Sequence, residues 1–427
     1  MRLMDSSPKT PAFGVNLFGY LTSNLGLGVA ARNTAQMLLA NHIPTRLVDV
    51  NPGGGMQGKD TTFAEQIAAA HDVEPYAVNL FHINPDQVLY LLNPFSDTVT
   101  LQNRVNACVP FWELPRLPDS WVEPLQAMDA ILAPTRFVEA AVRDRLPSAR
   151  LIRYPQAVHV PSDITPDRSA FALPDGALIF VMSFDMRSDI ERKNPWAAIE
   201  AFLQAFPDRG DVRLVIKASN VETIAGLERN VARLREVAAD PRIIVLDRPM
   251  GYREILTLYA SCDVLVSLHR SEGLGLSLLE AMALGKAVVA TGWSGNVDFM
   301  TPENSIPIGF DEVEVVSSTQ PAYAATMAGR QFWAEPRVAE AAQAMRSLAE
   351  NPELRILLGI QAAKDAHALT EQYDRGGAIV PSLRALAADG PGAGSARMAR
   401  LRLRYPWYYS RRVVRAVLHR AKTRLVG

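Results

Sequence analysis

Apolar, β-rich runs recur along this chain with helical patterns between them. Strands are predicted at FGVNLFGY, TRLVDV, YAVNLFHI, ACVPFW and AILAPT, and later at ALIFVMSF, RLVIKAS, IIVLD, VLVSLH and AVVAT. Such alternation predicts an α/β protein whose parallel sheets are covered by helices. The intervening helices carry their own punctuation: Asn194 can cap, and Pro195 suits the first position of, a helix through WAAIEAFLQAF. The rhythm breaks once, in the Pro, Ser and Asp-rich stretch 160–176, which reads as a linker. No short repeat occurs, but both halves share one strand-helix rhythm, as two Rossmann-like domains would. Where two such sheets face each other, ligands sit beyond the strands' carboxyl ends, in the cleft.

Length agrees with two domains, because 427 residues at 48% hydrophobic exceed what a single core usually holds, roughly 250 to 300 residues. The opening MRLMDSSPKTPAFGVNLF lacks a basic start followed by an apolar stretch, and no later run approaches the roughly 20 apolar residues of a membrane span. A cytoplasmic location is expected. Cys108 and Cys262 lie in or beside apolar segments without metal-ligand spacing, which predicts buried free thiols. The net charge of −1 conceals an asymmetry, since the segment from Ser395 to Gly427 carries ten Lys and Arg and no acid. An acidic body therefore bears a basic tail.

The stretch SEGLGLSLLEAMALGKAVVAT follows the strand VLVSLH and holds Glu272 and Glu280 with seven residues between them. Gly273 and Gly275 let backbone approach a ligand, and a helix starting near Leu276 and Ser277 would point unpaired N–H groups into the cleft as an anion site. Glu272 would accept hydrogen bonds from sugar hydroxyls and Glu280 could reach a ribose. The helix runs on through Leu279, Met282 and Ala283 and stops at Gly285. Two Glu at this spacing often arise as solvated helix residues; here they lie at a strand-to-helix junction with glycines between. The stretch resembles the donor-site signature of family four of the retaining glycosyltransferases, which have the GT-B fold of two Rossmann-like domains. A second match is SFDMRSDIERKNPWAAIEAF, where Arg187 and Lys193 stand six positions apart. In the resembled family an Arg and a Lys so spaced grip the donor pyrophosphate, offsetting the charge gained by the departing diphosphate. No metal and no cofactor is then expected, and no Asp-x-Asp pair occurs in the chain. The plainer alternative makes these cations ordinary surface charges, which is what Arg192 beside them is expected to be.

The resemblance covers residues 175–310 closely, with Lys217 and Arg248 at strand ends where they line the nucleotide pocket or are solvated, and Asn296 and Asp298 expected to cap the helix after GWSG. The first half is looser. Gly26 and Gly28 precede a helix as in the family's glycine-rich loop beneath the donor phosphates, although Ala31 stands where a dinucleotide fingerprint would want its third glycine. A histidine common at the end of a later first-domain strand is replaced here by Trp112 and Glu113. Glu113 would orient the acceptor or donor sugar and Trp112 would wall a sugar face, or both are structural; His82, in NLFHINPDQ, is another strand-end candidate.

The resemblance thus implies an N-terminal acceptor-side domain over 12–160, a C-terminal sugar-nucleotide domain over 175–365, a helix returning to the first domain over 366–388, and an extra tail over 395–427 beyond a flexible DGPGAGSA. The tail sets Val414, Val417, Leu418, Ala421 and Leu425 on one helical side behind Tyr405, Trp407, Tyr408 and Tyr409, which suits an anionic membrane surface; packing on the body is the alternative, and no nucleic-acid module accompanies the charge. The implied activity is that of a retaining, metal-independent hexosyltransferase. It would move sugar from a UDP- or GDP-sugar to a growing glycan, with a lipid-linked one expected, in bacterial surface polysaccharide assembly at the inner face of the membrane. A sugar-nucleotide epimerase of the same fold and a non-catalytic nucleotide-sugar-binding relative stay open.

Overall fold

The computed structural model describes residues 11–50, 60–68, 75–91, 101, 103–221, 226–316, 318, 323, 331–394, 396–398 and 400–401. The tail beyond 401, on which the membrane expectation rests, lies outside the described residues.

Two six-stranded parallel sheets form the body. The first contains β1 (Ala12–Gly19), β2 (Thr45–Asp49), β3 (Tyr76–His82), β4 (Val105–Cys108), β5 (Ala130–Ala133) and β6 (Leu151–Arg153) in the order β2-β1-β3-β4-β5-β6. The second contains β7 (Leu178–Asp185), β8 (Val212–Ser219), β9 (Ile243–Leu246), β10 (Val264–Ser267), β11 (Ala287–Thr291) and β12 (Ile306–Ile308) in the order β12-β11-β10-β7-β8-β9. This is the doubly wound arrangement, with the chain reversing direction across the sheet between β7 and β10 and, in the first sheet, between β1 and β3. Ligand crevices belong beyond the carboxyl ends at these two points. The GT-B architecture expected from the sequence is the one observed.

Strand register in the first sheet is fixed by more than apolar pattern. Asn16, Asn79 and Asn106 face one another across β1, β3 and β4 and are fully buried. The Asn16 amide donates to Asn79 Oδ1 at 2.9 Å, and Asn79 to Asn106 Oδ1 at 2.9 Å. A slip by one residue would bury these amides without partners, so the ladder selects one register.

Beyond β12, an antiparallel hairpin of β13 (Phe310–Glu314) and β14 (Phe332–Pro336) was not anticipated. Val315, Tyr323 and Trp333 from this hairpin and its connection bury against first-domain residues such as Phe18, Phe81 and Trp112. The return to the first domain uses two helices, Pro352–Asp374 and Ile379–Asp389, interrupted at Gly376 and Gly377 with φ of +77° and +39°. Tyr373, Ile379, Leu383 and Leu386 join the first-domain core. In the stretch expected to be flexible, DGPGAGSA, the described residues fasten to the first domain: the N–H groups of Gly392 and Gly394 donate to Asp129 at 3.0 and 3.2 Å, and beyond it Met398 and Leu401 are buried. A half-buried carboxylate with three N–H donors, counting that of Asn106 at 2.8 Å, holds its partner segment in place. Among the described residues, no helix is long and apolar enough to cross a membrane.

Candidate functional site

The site assembles where β7 and β10 end. After β7 the chain turns through Arg187 to Asp189, whose carboxylate accepts N–H bonds from Glu191 and Arg192 and so caps a single helical turn, Ile190–Lys193. Pro195 opens the next helix as expected, but Asn194 does not cap it. That residue is left-handed, with φ of +47°, and its amide reaches Glu335 at 3.3 Å. The short turn aims residues 192 and 193 at the loop after β10. There the Lys193 ammonium bonds Glu272, and the Arg192 guanidinium lies 3.3 Å from the same carboxylate while donating to Ser271 O at 2.8 Å.

Arg192 is therefore not the surface charge the sequence suggested. It is 5% exposed, because the Asp189 cap turns it inward, and it holds Glu272 from the protein side. Burial would raise the Glu272 carboxyl, but Lys193, Arg192 and His269 together hold it down to about 2. The Glu272 N–H donates to Ser294 Oγ at 2.7 Å and its carbonyl accepts from Gly295 at 2.8 Å, so backbone and side chain are both fixed. Arg187 sits exposed in the turn, its own N–H on Asp185 at 2.8 Å; the ion pairs to Glu272 come from Arg192 and Lys193.

From Glu272 the chain passes Gly273 to Gly275, whose φ of +93° starts the helix Leu276–Ala283. Helical geometry leaves the N–H groups of Leu276 and Ser277 without intrahelical acceptors at the cleft-facing end. The helix ends at Gly285, φ +71°, with N–H bonds from Gly285 to Met282 and from Lys286 to Ala281. Glu280 lies one turn in, 5% exposed; burial, against a pull from Tyr252, pushes its carboxyl up to about 8. Lys217, at the end of β8, is 1% exposed, and burial lowers its pKa; its ammonium donates to Ala218 O and to Ser219 Oγ at 3.1 and 2.9 Å. Arg248 pairs with Glu254 on the surface.

The first domain meets this site from the opposite side. Gly26 opens the helix Gly26–Ala40, and a Cβ there would lie 3.5 Å from Leu276 Cδ1, so the glycine loop faces the head of the second-domain helix. Gly28 admits no side chain at all, since a Cβ would fall 2.3 Å from Ser23 O. The backbone of Trp112 approaches Gly273, but the Trp112 ring is no sugar wall. It is 2% exposed, packed on Trp121 and Tyr323, with its indole N–H on Arg116 O at 2.9 Å. Glu113 accepts the Tyr323 hydroxyl at 2.8 Å and contributes to the field that raises the pKa of Arg192 against burial. His82, at the end of β3, is fully buried with neither ring nitrogen at full hydrogen-bond geometry, and burial, against a pull from Gln156, lowers it to about 4.

Asn296 and Asp298 do not cap a helix. Asn296 bonds Thr291 O and His269, whereas Asp298 crosses to the first domain, accepting the Arg136 N–H at 2.9 Å and the Arg153 guanidinium at 2.7 Å. Thr135 donates to Gly273 O at 3.0 Å beside it. These cross-domain partners, like Arg192, were missed by sequence reasoning; the one local signal was the Asp189 cap before IERK. Among the described residues no cluster of three His, Cys, Asp or Glu side chains is placed to hold a metal.

The segment that builds this site, residues 178–351, matches the family model described as glycosyl transferases group 1. The second domain is similar to that family over those residues. The chain is accordingly a glycosyltransferase of the GT-B fold, and solved structures agree on the architecture. Sucrose-phosphate synthase from Thermosynechococcus elongatus superposes with a TM-score of 0.62 at 14% identity over 88% of this chain and 100% of that one. HepE from Anabaena, solved with UDP and glucose, gives a TM-score of 0.58 at 13% identity over 87% and 100%. TarM gives 0.50 at 14% identity over 73% of this chain, which spans about half of that protein, 54%. No curated protein sequence matches the chain.

Proposed function

We propose that this glycosyltransferase transfers a hexose-type sugar from a UDP- or GDP-sugar to a hydroxyl of a growing glycan, with retention at the anomeric carbon and without a metal ion. The observation that carries the reading is the convergence of Lys193 and Arg192 on Glu272 beside the head of the helix Leu276–Ala283. With Arg192 compensated by Glu272, Glu113 and Asp189, the cation left to face the free helix N–H groups is Lys193, and a mobile ammonium beside such groups suits a diphosphate. The two cations differ in role. Arg192 is buried and bound to Ser271 O, so it keeps Glu272 ionised and in place, while the more exposed Lys193 can turn from Glu272 to the diphosphate. Arg187, in the adjacent turn, is the second cation proposed to reach the leaving group. Glu272, freed on one oxygen, then accepts a sugar hydroxyl, and Glu280 takes the ribose. Glu113, held by Tyr323, faces the same charge cluster from the acceptor side. HepE, which shares the fold, was solved with UDP and glucose, in keeping with a UDP-hexose donor. A lipid-linked acceptor in surface polysaccharide assembly, and attachment to the inner membrane face through the basic tail, complete the proposal; their support is the charge and aromatic pattern of residues 395–427.

The test screens UDP-, GDP- and ADP-sugars for slow hydrolysis or transfer to a glycan extract, with the anomer of the product read by NMR. Turnover of one donor by the parent chain, and its loss in Glu272→Ala, is expected. Equal turnover by that variant would overturn the assignment of Glu272.

A further inference from the structure

A second polar cluster lies beside the proposed donor site and draws on both domains. Arg32, on the helix Gly26–Ala40, is 6% exposed. Its Nη1 donates to Leu21 O at 3.1 Å and Ser23 O at 2.9 Å, and its Nε pairs with Asp60 at 3.3 Å. The remaining terminal nitrogen, Nη2, is buried with no hydrogen-bond partner. Tyr252 opens the helix Tyr252–Ser261 in the second domain, and its hydroxyl is likewise buried, with the Glu280 carboxyl within weak hydrogen-bonding reach but no partner at full hydrogen-bond geometry. Arg32 and Tyr252 are within electrostatic reach of each other across the domain boundary. Gly26 and Leu276, at the starts of the two helices that carry Arg32 and Glu280, face each other, since a Cβ at Gly26 would lie 3.5 Å from Leu276 Cδ1.

Buried donors are almost always satisfied, and a guanidinium nitrogen left bare near a hydroxyl and a carboxyl that bond each other only weakly marks a place where something else completes the bonds. The set has a definite chemistry: two donors and one acceptor, converging from three helices. A vicinal diol matches it, because each hydroxyl can donate to the carboxylate and accept from a guanidinium or phenol. We propose that Arg32 and Tyr252 are donor-binding residues that, with Glu280, hold the ribose of the nucleotide. The inference rests on the reading of Glu280 as the ribose residue and extends it across the cleft. Arg32 belongs to the acceptor-side domain, so the ribose bridges the domains, and nucleotide binding favours their approach.

Calorimetry of UDP and GDP, each with its 2′-deoxy form, against the parent chain, Tyr252→Phe, Arg32→Lys and Lys193→Ala provides the test. Tyr252→Phe removes a hydroxyl whose one protein partner is a weak contact with Glu280, so its melting temperature should stay close to the parent's, and its nucleotide affinity should fall about tenfold. Arg32→Lys keeps the charge but loses the fork, with a similar fall expected. For the 2′-deoxy nucleotide both losses should shrink to within about threefold, because the missing hydroxyl has already removed the contact. Parent-like ribonucleotide affinity in both variants overturns the inference while leaving the Lys193 reading intact. Losses equal for both sugars would place Arg32 on a phosphate oxygen and overturn the ribose assignment. If the parent binds neither nucleotide, or Lys193→Ala binds as the parent does, it is the underlying donor-site reading that fails.

Discussion

The two sheets share a winding plan, yet their carboxyl edges differ in kind. In the first, the central strands carry uncharged polar groups: the asparagine ladder lies within the sheet, His82 ends β3 buried and neutral, and the Arg32–Asp60 pair stands to one side on the helix after β1. In the second, the edge is crowded with ionised groups that compensate one another, as Glu272 is held by Arg192 and Lys193. The contrast teaches that equal topology supplies equal crevices, while the cost of burying charge decides which of them is built for an anion. Burial tolerates Arg192 only because carboxylates surround it; His82, lacking one, stays neutral.

The strongest way to break the comparison is to strip the charged edge. Glu272→Ala should abolish donor turnover by at least about 100-fold and destabilise the fold by about 3 kcal/mol, because it leaves Arg192 buried without that carboxylate. Kinetics with chemical denaturation reads both; a variant as stable as the parent would show that Arg192 is compensated elsewhere. Next in size is Gly28→Ala. A Cβ there collides with Ser23 O and Tyr20 O, so a loss of roughly 1–3 kcal/mol is expected, with weakened nucleotide binding because the glycine loop must shift. An unchanged melting temperature would mean that the loop yields freely.

A smaller effect concerns Glu280. Its carboxyl is raised to about 8 in the empty site, and ribose hydroxyls donating to it favour the ionised form, so nucleotide binding should release a proton. Affinity should then climb from pH 6 to pH 8 and level off above, and Glu280→Gln should flatten the climb. The stability linkage has the opposite slope. A carboxyl raised in the folded state stabilises fully below its unfolded pKa, and that contribution disappears as pH rises through about 8. The smallest effect belongs to the other edge. His82→Leu removes an imidazole whose contact with Gln156 falls short of full hydrogen-bond geometry, so at pH 7 its stability should stay within about 1 kcal/mol of the parent. The parent should weaken as pH falls from the unfolded histidine pKa through about 4, since the unfolded chain takes up the proton first; the leucine variant should lose that acid sensitivity.

Much of this architecture is written locally. Strands such as Leu178–Asp185 and Ala287–Thr291 are apolar runs between turn residues, and the helix Leu276–Ala283 is bounded by glycines whose positive φ the sequence advertises. Glu272 and Lys193 are legible for the same reason, through a spacing that presupposes a strand-to-helix junction. What was illegible depends on partners far along the chain. β6 is three half-buried residues, defined by pairing with β5 rather than by its own pattern. Arg192 looks like its solvated neighbours until Ser271 and Glu272 fold over it, and Asp298 shows its role only when Arg136 and Arg153 arrive from the other domain. Trp112 offered an aromatic face in sequence; Trp121 and Tyr323 had already taken it.

The fastening of Gly392 and Gly394 by Asp129 sets where the molecule can be cut. Met398 and Leu401 plug apolar slots in the first domain, so shortening the chain at Gly394 uncorks them and invites aggregation that mimics surface adhesion. A stop codon placed after Leu401 spares those plugs and severs only the remaining arginine-rich extension. Vesicle co-sedimentation of that shorter form therefore reports on the extension itself rather than on a damaged domain.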